Sequence, residues 1–341
     1  MAHVGLHGRA YIVATERISA LLGEVWRTSL GSAGFDHVVG GFAGECTVDE
    51  IDRGSADARE AGADVIIGAG GGKALDTARA IAANLGLPVV NCPTLASSDA
   101  PCSALSVLYT PDGEFDQLRF YPRNPELVLV DTSLVAAAPR RFLVSGMGDA
   151  LATWFEARTV IEARKANQVH GGTTLTGGAL ARLCYQTLRA DGVLAATAVD
   201  CGVVTPALEH VVEANTLLSG LGFESGGLAI AHSVHNGLTT AVGTHVYLHG
   251  EKVAYGLLVQ LIVEGRPADE LAEVVAFSRS VGLPTTLGEI GVDASDRTAL
   301  QLVADRTIAP DETAHNEPFE VTAAMILDGI IAADAVGRSG I

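Results

Sequence analysis

The chain has 341 residues, 48% hydrophobic and only 5% aromatic, so its interior must be built largely from aliphatic side chains. With 40 acidic residues against 22 basic ones the formal charge is −18, a surface that repels phosphate backbones and anionic bilayers and argues against nucleic acid or membrane partners. Five cysteines without a CxxC pair, no cationic cleavable leader and no apolar run long enough to span a bilayer point to the reducing cytoplasm.

Residues 10–14 predict a buried strand, 18–30 a helix by apolar spacing, and 37–39 a short second strand. Thr47, with Glu50 three positions on, predicts a capping box for a helix running toward Ala61. Residues 64–68 predict a third strand ending in a glycine cluster, 74–85 a helix, and 88–91 and 127–130 two further strands. Repeated strand–helix alternation predicts a mostly parallel sheet with right-handed crossovers. Beyond Asp131 the strand pattern gives way to long apolar-periodic segments at 148–163, 176–191, 207–221, 227–238, 252–264 and 268–281. A boundary near 133–139, with Pro139 as the breaker, divides an α/β domain over 1–135 from an all-α domain over 136–341.

The glycine-rich turn Gly68-Ala69-Gly70-Gly71-Gly72-Lys73 joins a predicted strand to a predicted helix. Glycines there let an anionic group approach the backbone, and the helix-start N–H groups and Lys73 can meet its charge. The turn is neither a Walker A loop nor GxGxxG, so a phosphate cradle and a plain tight turn both fit it. The segment 93–103 follows the next strand with four hydroxyls and Asp99, at the sheet end where open α/β folds bind ligands. Asp99 is suited to bonding a substrate hydroxyl or moving its proton. Local backbone bonding by Ser97 and Asp99 is the alternative.

Asp149, His232 and His249 lie far apart in order but offer one carboxylate and two imidazoles, a donor set suited to zinc or iron(II) with a position left for a substrate oxygen. Asp149 stands at the start of an apolar stretch that reads as a helix. His232 and His235, three apart, share one helix face, and His249 precedes the opening of another helix. The histidine pair is not HExxH, so a zinc protease is not indicated. Histidines satisfied by neighbours within the core are the alternative.

Six stretches carry a resemblance: GAGGGKALDTARA at 68–80, PTLASSDAPCSALSVLYTPDGEF at 93–115, PRNPELVLVDT at 122–132, GMGDALATWFEAR at 146–158, VTPALEHVVEANTLLSGLGFESGGLAIAHSVHNGLT at 204–239 and HGEKVAYG at 249–256. Over nearly its whole length the chain resembles the glycerol dehydrogenases of the iron-containing (group III) alcohol dehydrogenase family. The resemblance implies a Rossmann-like parallel sheet that holds dinucleotide and an all-α half that holds metal, the dehydroquinate synthase-like fold. It implies metal ligation by Asp149, His232 and His249, which would also seat the substrate, and dinucleotide binding by Gly70, Gly71, Gly72 and Lys73. Thr94, Ser97, Ser103, Leu105 and Tyr109 would line the nicotinamide side, and Asp99 would touch the diol.

The implied reaction takes hydride from glycerol or a related vicinal diol to NAD, giving dihydroxyacetone or a hydroxyketone, with Asp99 and His235 as candidates for carrying the proton away. Where the wider family has a further histidine one helical turn past the aspartate, this chain has Thr153, which resembles the zinc-using branch; iron(II) is the alternative metal. Thr15 replaces the acid expected to hold the adenosine ribose, which leaves NADP beside NAD, with Arg17 nearby to favour a 2′-phosphate. The family's usual strand-and-turn opening before the first strand is absent from this sequence. A homo-oligomer is expected.

Other readings keep the fold but change the substrate to an amino alcohol or hydroxy acid, or make the chain a non-catalytic homologue. A hydroxy acid would want an arginine or lysine clamp, which the pocket segments scarcely offer. A cyclase of the dehydroquinate synthase type would need several basic residues around a leaving phosphate, and none cluster in sequence near Asp149 or His249.

Overall fold

The computed structural model describes residues 1–339 and divides into two compact units. Of the described residues, the first unit comprises 1–96 and 100–135, the second 97–99 and 136–339.

In the first unit β1 (Arg9–Ala14), β2 (Asp36–Gly41), β3 (Val65–Gly70), β4 (Val89–Pro93) and the short β7 (Leu127–Val128) form a parallel sheet in the order β2-β1-β3-β4-β7. Every residue of β3 is buried, as are all of β1 after Arg9, which is why both read as unbroken apolar runs rather than alternating ones. The edge strand β2 is mostly exposed and carries Asp36, paired with Arg9 of β1. Three helices connect the strands: α1 (Glu16–Ser32), α2 (Val48–Glu60) and α3 (Gly72–Leu85). Thr15 caps α1 by accepting the Ile18 N–H at 3.3 Å, so the position expected to hold an acid works as a helix cap.

Thr47 caps α2 by accepting the Glu50 N–H, but the capping box is only half formed. The Glu50 carboxylate accepts from the Ala43 N–H at 3.0 Å and from Arg53, because a guanidinium is the stronger partner. An antiparallel hairpin that the sequence expectations did not include, β5 (Leu105–Tyr109) with β6 (Phe115–Phe120), turns through Thr110-Pro111-Asp112-Gly113. Buried Arg79 of α3 anchors it. That side chain pairs with Asp76 at 2.8 Å and donates to the carbonyls of Ala100, within the loop before β5, and of Leu105, where β5 begins.

The second unit is helical. After the short α4 (Thr132–Ala136) the long α5 (Arg140–Ala163) starts directly behind Pro139. There follow α6 (Leu175–Asp200), α7 (Pro206–Glu213), a π-helical turn at Ala214–Leu218, α8 (Ser219–Gly226), α9 (Ile230–Leu238), α10 (His249–Val263) and α11 (Ala268–Val281). Two more helices, α12 (Arg297–Thr307) and α13 (Ala323–Ser339), extend past the last one predicted. Helix α10 is buried along nearly its whole length, with α5, α9 and α13 packed around it. Among the described residues no helix is long and apolar enough to cross a membrane, and all five cysteines are free thiols.

Candidate metal centre and dinucleotide turn

Three glycines explain how distant side chains meet in the helical unit. A Cβ on Gly148 would lie 2.3 Å from the Gly250 carbonyl oxygen, and one on Gly250 only 1.8 Å from the Ser145 carbonyl oxygen. Helices α5 and α10 therefore touch backbone to backbone where Asp149 and His249 adjoin those glycines. A Cβ on Gly256, further along α10, would lie 2.3 Å from the Ala231 carbonyl oxygen, so α9 approaches as closely beside His232.

The result is a cluster in which one ligand atom each from Asp149, His232 and His249 lies within 4.8 Å of the others. Asp149 Oδ1 is 3.3 Å from His232 Nε2 and 3.2 Å from His249 Nε2. That oxygen is buried and makes no hydrogen bond, while Oδ2 accepts the Asp99 N–H at 3.1 Å. One fully buried carboxylate oxygen facing two imidazole nitrogens is a donor set that a divalent cation can share, so these residues fit a divalent metal. Asp149 sits in the middle of α5, not at the start of its helix as the apolar pattern suggested, because the helix already begins at Arg140.

Each imidazole is held from its outer nitrogen. His232 Nδ1 lies 2.6 Å from Glu156 Oε2, while Glu156 Oε1 accepts the N–H groups of Ala229 at 2.9 Å and His232 at 3.0 Å. Glu156 thus satisfies the start of α9 and sets the His232 ring with one carboxylate. Sequence reasoning missed it, although its spacing of seven from Asp149 puts both on one face of α5. His249 Nδ1 lies 3.0 Å from His235 Nε2. The start of α10 is pinned by Glu251, which accepts the Leu248 N–H at 2.7 Å and a two-pronged pair from Arg141 at 2.6 and 2.7 Å.

Electrostatics follow the geometry. Burial works against ionised Asp149, but the imidazoles of His249 and His232 outweigh it and hold the carboxyl well below its ordinary range. Burial likewise disfavours protonated His232, yet Glu156 and Asp149 raise it well above the usual imidazole value. His235 goes the other way: burial, then the charges of His249, Lys252 and His232, hold it neutral.

Asp99 is drawn into this unit with Ser97 and Ser98. Its Oδ2 accepts the Ser219 hydroxyl at 3.0 Å, and the Ser97 carbonyl accepts the Ser145 hydroxyl at 3.1 Å. Thr153 Oγ1 is 2.8 Å from Ser219 Oγ; since the Ser219 proton goes to Asp99, Thr153 is the donor there. Thr153 thus supports the anchor of Asp99. Ser219 directly follows the π-helical turn and carries no local sequence signal.

In the first unit Gly70 ends β3, Gly71 caps α3 and Gly72 opens it, so the glycine turn does join a strand to a helix N-terminus. Lys73 Nζ pairs with Glu45 at 2.5 Å and stands 5.0 Å from the Tyr109 ring centre. Thr94 is buried, its N–H donating to the Gly70 carbonyl at 3.0 Å. Ser103 is buried with its hydroxyl 3.4 Å from the Ala100 carbonyl, and buried Leu105 opens β5.

Comparison with known proteins agrees with this architecture. The model of the iron-containing alcohol dehydrogenase family matches residues 1–132. A glycerol dehydrogenase of Thermotoga maritima is 52% identical over 97% of this chain and 90% of its own. A glycolaldehyde reductase of Halobacterium salinarum is 50% identical over 96% of this chain and 90% of its own. The crystal structure of a probable glycerol dehydrogenase from Sinorhizobium meliloti 1021 superposes with a TM-score of 0.93 at 44% identity, covering 99% of this chain and 94% of that one. The chain belongs to the iron-containing alcohol dehydrogenase family, and it is an oxidoreductase of that family.

Proposed function

We propose that the chain oxidises glycerol or a related vicinal diol with NAD, giving dihydroxyacetone or the matching hydroxyketone, NADH and a proton. The observation that carries this reading is the bare, buried Asp149 Oδ1 set between His232 Nε2 and His249 Nε2, in a chain 52% identical to a glycerol dehydrogenase. These three residues would hold one divalent metal, zinc in preference to iron(II), since the residue at 153, where the resemblance implies a further histidine in the wider family, is a threonine bonded to Ser219. A metal there supplies Lewis acidity toward a substrate oxygen.

The chain's own residues do the rest. The Asp99 N–H orients Asp149 through Oδ2, and the Asp99 carboxylate, steadied by Ser219, bonds a hydroxyl of the diol and serves as the candidate proton acceptor. Glu156 fixes the His232 ring; we read His235 as the corresponding partner of His249, with its outer nitrogen committed to Asn236. The turn Gly70–Lys73 supports a dinucleotide pyrophosphate at the α3 N-terminus, and Thr94, Ser97, Ser103, Leu105 and Tyr109 line the nicotinamide side in this reading. NAD is the acceptor we favour over NADP. A homo-oligomer in the cytoplasm completes the proposal, supported by the family resemblance and by the free thiols.

The 50% identity to a glycolaldehyde reductase favours one second reading, in which the same site reduces a small hydroxyaldehyde. A turnover panel decides: glycerol, 1,2-propanediol and 2-hydroxybutyrate with NAD or NADP, and glycolaldehyde with NADH. Efficient NAD-linked oxidation of the diols supports the proposal. A clear preference for the hydroxy acid, or for glycolaldehyde with negligible diol turnover, overturns it.

A further inference from the structure

His249 can give Nε2 to a metal only as a lone pair, which places its proton on Nδ1. His235 Nε2, 3.0 Å from that Nδ1, must then accept, and His235 must carry its own proton on Nδ1. That nitrogen is 3.1 Å from Asn236 Oδ1. The other end of the Asn236 amide, Nδ2, lies 3.2 and 3.1 Å from the two carboxylate oxygens of Glu312. Arg306 Nη1 donates to Glu312 Oε1 at 2.5 Å. A guanidinium has no acceptor, so Glu312 receives on that side, and with Asn236 Nδ2 facing it the amide oxygen is turned toward His235.

The reverse direction is chemically excluded for a ligand. If Asn236 presented its NH2 to His235, that ring would accept at Nδ1 and donate from Nε2. His249 would then accept at Nδ1 and carry its proton on Nε2, aimed at Asp149 with no lone pair for a cation. One amide orientation therefore separates a ligating His249 from a non-ligating one.

We propose that Glu312, through Asn236, sets the direction of the hydrogen bonds through His235 and so keeps His249 Nε2 available as a metal ligand. The inference rests on the metal reading above and assigns Glu312 and Asn236 as positioning residues that supply no metal ligand themselves. Glu312 lies outside the stretches that carry the family resemblance, and Asn236 lies within the one at 204–239.

Near-isosteric exchange tests it. In Glu312→Gln the new amide keeps its oxygen on Arg306 and sets its NH2 against the Asn236 NH2, a clash of donors that is relieved when Asn236 turns over and reverses the chain. Zinc affinity, measured by chelator competition on the full-length protein, falls roughly 10–100-fold, the range for lost outer partners of ligating histidines. In the double variant Glu312→Gln with Asn236→Asp, the carboxylate introduced at 236 accepts both from the amide introduced at 312 and from His235. The original direction returns, and zinc affinity recovers. Histidine side-chain nitrogen shifts of the metal-free protein report the same reversal, His235 protonated on Nδ1 in the wild type and double variant and on Nε2 in Glu312→Gln. Unchanged zinc affinity in Glu312→Gln, or equal loss in the single and double variants, overturns the proposal. A wild-type chain that takes up no zinc overturns the metal reading instead, so the two failures are distinct.

Discussion

Gly148 of α5 and Gly250 of α10 stand at one close approach of the two backbones: a Cβ on the first would strike the Gly250 carbonyl oxygen at 2.3 Å, and one on the second would fall 1.8 Å from the Ser145 oxygen. Their neighbours, Asp149 and His249, are thereby set with Oδ1 and Nε2 3.2 Å apart. Both contacts are backbone to backbone, so no side-chain rotation relieves them.

Gly250→Ala is accordingly expected to lower stability by about 1–3 kcal/mol or more, the range for overpacking a dense interior. It should also abolish stoichiometric metal uptake by moving α10 off α5. Thermal melting and metal analysis of the purified variant check both effects.

Glu156→Gln leaves one acceptor oxygen for three donors, the N–H groups of Ala229 and His232 and the His232 ring. Metal affinity should drop roughly 10–100-fold. Stability should fall by about 1–3 kcal/mol, because a buried donor is left unpaired. Chelator competition and urea unfolding separate the two losses.

Ser219→Ala removes the hydroxyl that holds Asp99 Oδ2 at 3.0 Å. Metal affinity should stay near the wild-type value, since the bond from Asp99 to Asp149 comes from its backbone N–H, which the loss of the Ser219 hydroxyl leaves in place. Diol kcat/KM should fall roughly ten- to hundredfold through misplaced orientation. Steady-state kinetics on the zinc-loaded enzyme, paired with metal content, give the answer.

Glu317 is buried, and burial together with the charges of Glu264 and Glu156 pushes its carboxyl up to about 9, with Arg266 opposing. The folded state therefore holds a proton that the unfolded chain, titrating near 4.5, releases. The stability this group contributes is fully present below that unfolded value and is lost progressively as pH rises toward about 9. Glu317→Gln should flatten the decline, melting higher than wild type at pH 8 and alike near pH 4. Melting curves across this range test the sign.

Much of the fold was legible because parallel strands buried on both faces leave unbroken apolar runs such as Val65–Gly70, and amphipathic helices such as Ala268–Val281 leave a 3.6-residue period. The α/β-then-helical order and the convergence of Asp149, His232 and His249 were readable from residue types and motif context. The hairpin of β5 and β6 was not, because its strands follow a long polar loop and its cue, Pro-Asp-Gly, is shared by ordinary turns. Glu50 misled because its local spacing fits a capping box while tertiary partners claim its carboxylate. Ser219 lies 120 residues from Asp99 in sequence, a pairing that exists only in three dimensions. Glu156 was recoverable, two helical turns from Asp149 on the same face.

The most direct test is the zinc content of the wild-type chain and of Asp149→Ala after loading and removal of loose metal, read beside NAD-linked oxidation of glycerol. This account predicts one zinc per wild-type chain with glycerol turnover, and loss of both in the variant. Zinc retained undiminished in Asp149→Ala, or a metal-free wild type that oxidises glycerol at full rate, would contradict it.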